Sequence, residues 1–90
     1  MKYKITYLEN VVKKDFPALS SPIKKSIIRA IDERIADEPM KVGAPLLYEL
    51  KGHRRLQVSD YRIIYTVDIA ECEVTITSIK HRKESYRKKN

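Results

Sequence analysis

The strongest constraint on this chain is a stripe of isoleucines. Ile23, Ile27, Ile31 and Ile35 recur every four residues, with Ile28 beside them, while Lys24, Lys25, Asp32, Glu33 and Asp37 take the other faces. Side chains four apart stack on one side of an α-helix, so the segment reads as a helix with a single apolar ridge. Ser20-Ser21-Pro22 supplies its start, with Ser21 as N-cap and Pro22 at the first helical position, and Pro39 closes it near Asp37. A ridge of this kind needs a flat apolar partner, which the rest of the chain must provide as a sheet.

Strand signals lie on both sides of it. Tyr3 to Leu8 alternates apolar and polar residues and suits a first strand, and a short helix over Glu9–Phe16 is stopped by Pro17. Beyond the long helix, Gly43 and Pro45 make a loop. Leu46–Leu50 and Arg54–Val58 flank a Lys51-Gly52-His53 turn, and His53 reads there as structural or solvent-facing. Ser59-Asp60 is a tight connection, Tyr61–Val67 is the clearest strand, Ala70-Glu71 turns the chain, and Glu73–Ile79 alternates Val/Ile with Thr. The predicted fold is α+β: an N-terminal strand, a two-helix hairpin packed on a mainly antiparallel sheet of about four strands, and a short basic C-terminal segment. Ninety residues suffice for one domain over 1–90. A core this thin favours a surface groove over an enclosed pocket.

Composition narrows the function classes. Cys72 is the one cysteine and reads as a strand or turn residue; with only two histidines in the chain, neither a disulfide nor a zinc site is expected. No secretory signal or membrane span is legible, so a reduced, cytoplasmic setting without membrane partners is the expectation. Lys and Arg number 19 against 12 acids, a net charge of +7. Lys80, Arg82, Lys83, Arg87, Lys88 and Lys89 against Glu84 place +5 of that +7 in the last stretch. Charge focused in this way suits a polyanion; as a bland alternative it is a solvated basic tail.

Strand parity outlines a site. Leu56 and Val58 share one face of their strand, and Arg55 and Gln57 share the other. Arg62 opposes Ile63 and Tyr65 in the next strand. With the apolar sides against the helices, Arg55, Gln57 and Arg62 project from an open face. An arginine inside a β-branched and aromatic strand is either a phosphate ligand, through its planar donor fork, or half of a cross-strand ion pair with Asp60, Asp68 or Glu73. The run Lys80–Arg87 follows the last strand at once, so His81, Arg82 and Tyr86 are expected to reach that face from its edge. Tyr86 is either a packing anchor or a base or phosphate contact.

These residues carry a resemblance. Gly43-Ala-Pro-Leu, Leu50-Lys-Gly-His-Arg-Arg-Leu-Gln-Val, Asp60-Tyr-Arg-Ile-Ile-Tyr-Thr-Val-Asp and Ile79-Lys-His-Arg-Lys-Glu-Ser-Tyr-Arg together resemble the RelE/ParE superfamily of type II toxins, over about Gly43 to Arg87. The resemblance implies a two-helix hairpin on a four-stranded sheet. For the RelE branch it also implies cleavage of mRNA in the ribosomal A site, without a metal or other cofactor, leaving a 2′,3′-cyclic phosphate and a 5′-hydroxyl. It further implies a co-encoded antitoxin that wraps and silences the toxin. By this likeness Arg62 matches the family's strand arginine, Arg82 and Tyr86 its terminal arginine and tyrosine, and Arg55 a family lysine. A second family lysine falls at Gln57, which can supply neither proton nor charge, so either Arg54, Arg55 or His81 covers its role or cleavage is slower.

The implied chemistry assigns parts. Arg62 and Arg82 clamp the non-bridging oxygens of the phosphate. Tyr86 or His81 accepts the 2′-hydroxyl proton, the histidine being the easier base near neutrality. Arg54, Lys80 and Lys83 hold phosphates of message or ribosomal RNA. Three rivals remain open: a ParE-like gyrase inhibitor without nuclease activity, a non-catalytic RNA-binding module, and an inactive toxin relic, a reading that Gln57 supports.

Overall fold

In the computed structural model, which describes residues 2–46 and 52–83, the isoleucine helix lies across one face of a five-stranded sheet. Strand β1 (Lys4–Tyr7) is followed by a π-helical segment (Val11–Asp15), helix α1 (Ser21–Ala30), a second π-helical segment (Ile31–Ile35) and a short helix α2 (Pro39–Val42). Then come β2 (Ala44–Pro45), β3 (Arg54–Val58), β4 (Tyr61–Asp68) and β5 (Glu73–His81). The sheet order is β1-β5-β4-β3-β2. Neighbours pair antiparallel except β1, which runs parallel to β5.

The apolar ridge does what its spacing predicts. Ile27, Ile31 and Ile35 are fully buried against Leu56, Ile63, Val74 and Ile76, with Val11 closing the core from the first helical segment. Both helical segments end by widening their last turn, the Phe16 N–H reaching Val11 O and the Ala36 N–H reaching Ile31 O. The N-cap is Ser20, with extended backbone angles, rather than Ser21. The first turn has no intrahelical acceptors for its N–H groups, so Pro22 fits there without cost whether or not it is the first residue.

The structure refines the expected fold at three points. The sheet of about four strands has five, because the short Ala44–Pro45 strand pairs with Arg54 and Arg55. The expected strand over Leu46–Leu50 begins after that pairing, and residues 47–50 lie outside the described residues. Strand β5 also runs two residues past Ile79 and includes Lys80 and His81.

The third point is a β-bulge in β5. Ile64 pairs with Ser78, but Tyr65 pairs with Ile76, leaving Thr77 as the extra residue. Thr77 Oγ1 donates to Ile64 O at 3.2 Å, and Asn10 Nδ2 donates to Thr77 O at 3.2 Å, so polar partners surround the bulge. Its effect is to switch the parity of β5. Val74 and Ile76 face the helices before it, and Ile79 faces them after it.

The edge of β5 beyond β1 is covered by a side chain. Asp15, only 5% exposed, accepts the Ile79 N–H at 2.9 Å and Lys80 Nζ at 3.1 Å. At the other end of the sheet, Gly43 lets β2 close on β3. A Cβ there would collide with the Tyr65 hydroxyl and come within 2.8 Å of Arg55 O. That hydroxyl is fixed, donating to Pro39 O at 2.7 Å. No helix among the described residues is long and apolar enough to cross a membrane.

Candidate functional site

The face of the sheet turned away from the helices is built from alternate residues of β3, β4 and β5. The β3–β4 hairpin turns over Ser59-Asp60, with Ser59 at φ 57°, a positive value of the kind two-residue hairpin turns require. That turn sets the register in which Gln57 pairs with Arg62, and β5 adds Lys80 beside Arg62. Three strands thus contribute one row, Gln57–Arg62–Lys80. The next row on the same face is Arg55–Ile64–Ser78.

Between and beside these rows lies a groove of about 410 Å³, lined among others by His53, Arg55, Arg62, Ser78 and Lys80. Among the described residues that line it, three are cations and none is a carboxylate. The far end of the same sheet face is different: Lys4, Glu73 and Asp68 share a row, and Glu73 accepts Thr6 Oγ1 at 2.6 Å. Asp68 takes the Glu71 N–H at 3.1 Å. The face is therefore polarised along its strands, cationic at the groove and mixed in sign at the opposite end.

The remaining site candidates divide. Lys80 stands at the lip of the groove and is held there by Asp15 across the β5 edge. Gln57 is exposed and donates to Ser59 O at 3.1 Å, a contact that turns its amide toward the hairpin end. Arg82 sits at the corner after β5, its N–H on Asp60 O at 2.7 Å and its Nε 3.8 Å from Asp60 Oδ1. Both side chains are more than half exposed, so this pair is weak, about 0–1 kcal/mol, and an arriving phosphate competes with it readily. Lys83 is exposed beyond that corner. Tyr86 lies outside the described residues.

Two candidates fall on the wrong side. Arg54 shares the helix-side face with Leu56, and its guanidinium donates to the carbonyls of Pro39, Met40 and Gly43. It locks α2 and the following loop onto the sheet. Beside it, burial pushes the Tyr65 phenol above its usual value of 10.0, and Arg54 pulls it partly back. His81 is also on the helix side, because the bulge at Thr77 reverses the alternation. It pairs with Tyr61, the two rings meeting edge to face at 5.2 Å. Its Nδ1 accepts the Lys83 N–H at 3.1 Å, and it lines a separate hollow of about 300 Å³ with Lys14, Asp15 and Leu19.

His53, which the sequence reads as structural or solvent-facing, lines the groove. It lies two before Arg55 and shares its parity, which is the signal that could have found it. No group of three or more metal-ligating side chains occurs among the described residues.

Comparison with known proteins places this arrangement. Residues 7–86 match the family described as the ParE toxin of type II toxin–antitoxin systems, parDE. The toxin RelG of Mycobacterium tuberculosis is 27% identical over 88 residues, spanning 98% of this chain and 100% of that protein. The toxin RelE of the same organism is 28% identical over 74 residues, spanning 82% of this chain and 76% of that protein. The fold is similar to a chain of the M. tuberculosis RelBE2 toxin–antitoxin complex, with a TM-score of 0.85 and 26% identity over 91% of this chain and 93% of that one. A chain of the intact Escherichia coli RelBE complex shares the fold at a TM-score of 0.72 and 18% identity, covering 88% of this chain and 95% of that one.

Proposed function

The chain belongs to the ParE toxin family of type II toxin–antitoxin systems, within the RelE/ParE superfamily, and we propose that it stops translation by cutting mRNA on the ribosome. The observation that carries this reading is the cationic groove on the open face, where Arg55, Arg62 and Lys80 converge without a carboxylate among the described lining residues.

RNA can be cut by its own 2′-hydroxyl. The 2′-oxygen attacks the adjacent phosphorus, the P–O5′ bond breaks, and a cyclic phosphate and a 5′-hydroxyl result. The reaction needs no metal if side chains offset the charge that builds on the phosphorane oxygens. Arg62 is the central ligand of the row, with Arg55 and Lys80 beside it. Arg82 closes the corner by exchanging Asp60 for phosphate. Gln57 offers an amide hydrogen bond where a charge is absent. Tyr86 contributes a phenol to stack or to take part in proton transfer. Lys83 holds flanking phosphates by charge, without reading sequence.

A groove this shallow grips only a few atoms of a flexible strand. Fixing the attacking and leaving oxygens in line is worth up to ~7–11 kcal/mol, and that alignment is supplied by the ribosomal A site, where messenger and ribosomal RNA meet the toxin together. A cognate antitoxin is the second partner. It silences the toxin by covering the cationic face, where a wrapped acidic or polar segment excludes RNA.

The test is to induce the protein in bacteria and map mRNA 5′ ends across translated genes. Cuts phased with codons and abolished when ribosomes are withheld are expected. Gyrase poisoning is an alternative outcome of the same test. Intact messages with gyrase-linked DNA breaks establish that reading instead, and intact messages with RNA merely bound leave a docking module.

A further inference from the structure

The groove has charges to hold a phosphate, yet most of its ionisable side chains cannot accept a proton. Arginine stays protonated in proteins, and lysine is a cation with donors only. Thr77 and Ser78 have ordinary hydroxyls. His81, the histidine that a regular strand would have delivered, is on the other face. His53 remains. It lines the groove together with Arg55 and Arg62, and imidazole is the side chain that changes protonation near neutral pH.

The surroundings of His53 single it out further. Its backbone is fixed, the carbonyl accepting the Leu46 N–H at 2.9 Å just before β3 begins. Its ring is half-buried, and Nδ1 is buried with no hydrogen-bond partner among the described residues. An unsatisfied buried ring nitrogen costs about 1–3 kcal/mol, so a histidine serving packing alone is a poor choice for this position. Every charged neighbour among the described residues of the two hollows that it lines is cationic: Arg55, Arg62 and Lys80 in the groove, and Arg54 in the smaller depression behind Gly52. Among the described residues, no carboxylate lines either hollow to hold the ring as a permanent ion pair.

We infer that His53 is the proton acceptor for the 2′-hydroxyl in this groove, a role that rests on the RNA-cleavage reading above. As the O2′–P bond forms, the 2′-hydroxyl proton passes to the imidazole. As the P–O5′ bond breaks, the 5′-oxygen takes a proton from water, and the imidazolium returns its proton to solvent. His53 lies two residues before Arg55, just ahead of β3, and both line the groove.

The experiment is single-turnover cleavage of ribosome-bound mRNA as a function of pH, with wild type, His53→Gln, His53→Ala and His81→Gln. Thermal unfolding checks that each variant is folded. Wild type is expected to show an ionisation on the alkaline-rising limb that His53→Gln loses and His81→Gln keeps, with His53→Gln slowed ~10²-fold or more. Added imidazole is expected to restore part of the His53→Ala rate, which a purely structural role would not permit. If wild type cleaves but His53→Gln keeps the limb, or imidazole rescues nothing, the His53 role is overturned and the nuclease reading stands. If wild type does not cleave at all, the nuclease reading falls and takes this role with it.

Discussion

Arg54 and Arg55 are neighbours in one strand with opposite employment. Arg54 points to the helix side and spends its guanidinium on three carbonyls of the Pro39–Gly43 segment. Arg55 points to the open side and lines a groove with Arg62 and Lys80. The two faces of the sheet thus use the same side chain for different ends, internal cross-linking on one side and the lining of a cationic groove on the other. The difference teaches that positive charge alone does not mark a ligand. What marks it is whether the chain itself supplies the oxygen atoms. Lys80 stands between the two cases, held by Asp15 at the edge of the sheet while still lining the groove.

The largest effect expected from this contrast is on the open side. Arg62→Ala should slow mRNA cleavage by ~10²–10³-fold, the usual loss when one donor to a developing oxyanion is removed. Single-turnover rates on ribosome-bound message measure it. Unchanged toxicity and rate would take Arg62, and with it the groove, out of the chemistry.

Arg54→Ala should act on stability. Removing a charged donor from three carbonyls, in a partly exposed setting where water takes over some of the contacts, costs about 2 kcal/mol. A urea unfolding midpoint reports it. A variant that loses cleavage while keeping its midpoint would erase the distinction between the two arginines.

The smallest effect concerns pH, and it sharpens the helix-side half of the comparison. Burial raises the Tyr65 phenol, and burial aided by Asp32 raises Tyr7. In the unfolded chain a tyrosine loses its proton near about pH 10. Above that point the folded protein still holds protons that the unfolded chain has released, so stability should fall as pH rises. Below it, both states are protonated and these groups contribute no slope. Tyr65→Phe should flatten part of the alkaline decline, whatever it does to absolute stability through the lost Pro39 contact. An identical slope in wild type and variant would show that Tyr65 is not a source of it.

Much of this was legible locally. The four-residue spacing of isoleucines determined the helix and its buried side. Alternation in Arg54–Val58 and Tyr61–Val67 determined that Arg55, Gln57 and Arg62 share a face, because successive strand residues must point in opposite directions. The spacing of β5 held a hint too. Val74 and Ile76 are two apart and Ile79 follows three later, a count that only an extra residue in the strand reconciles with one buried face.

What the tertiary structure alone decided is where the ends of that pattern fall. Whether Thr77 bulges depends on β4, whose Ile64 and Tyr65 hold the register on either side of it. That single irregularity sends Lys80 to the groove and His81 to the helices. Likewise, nothing near Arg54 in the sequence announces the carbonyls 11 to 15 residues away that occupy it. Periodicity is a property of neighbours along the chain, whereas register and partner atoms are set by segments that meet only when the chain has folded. The cationic C-terminal half stands out in the sequence. Which of its cations, and which histidine, share one groove is a property of the fold.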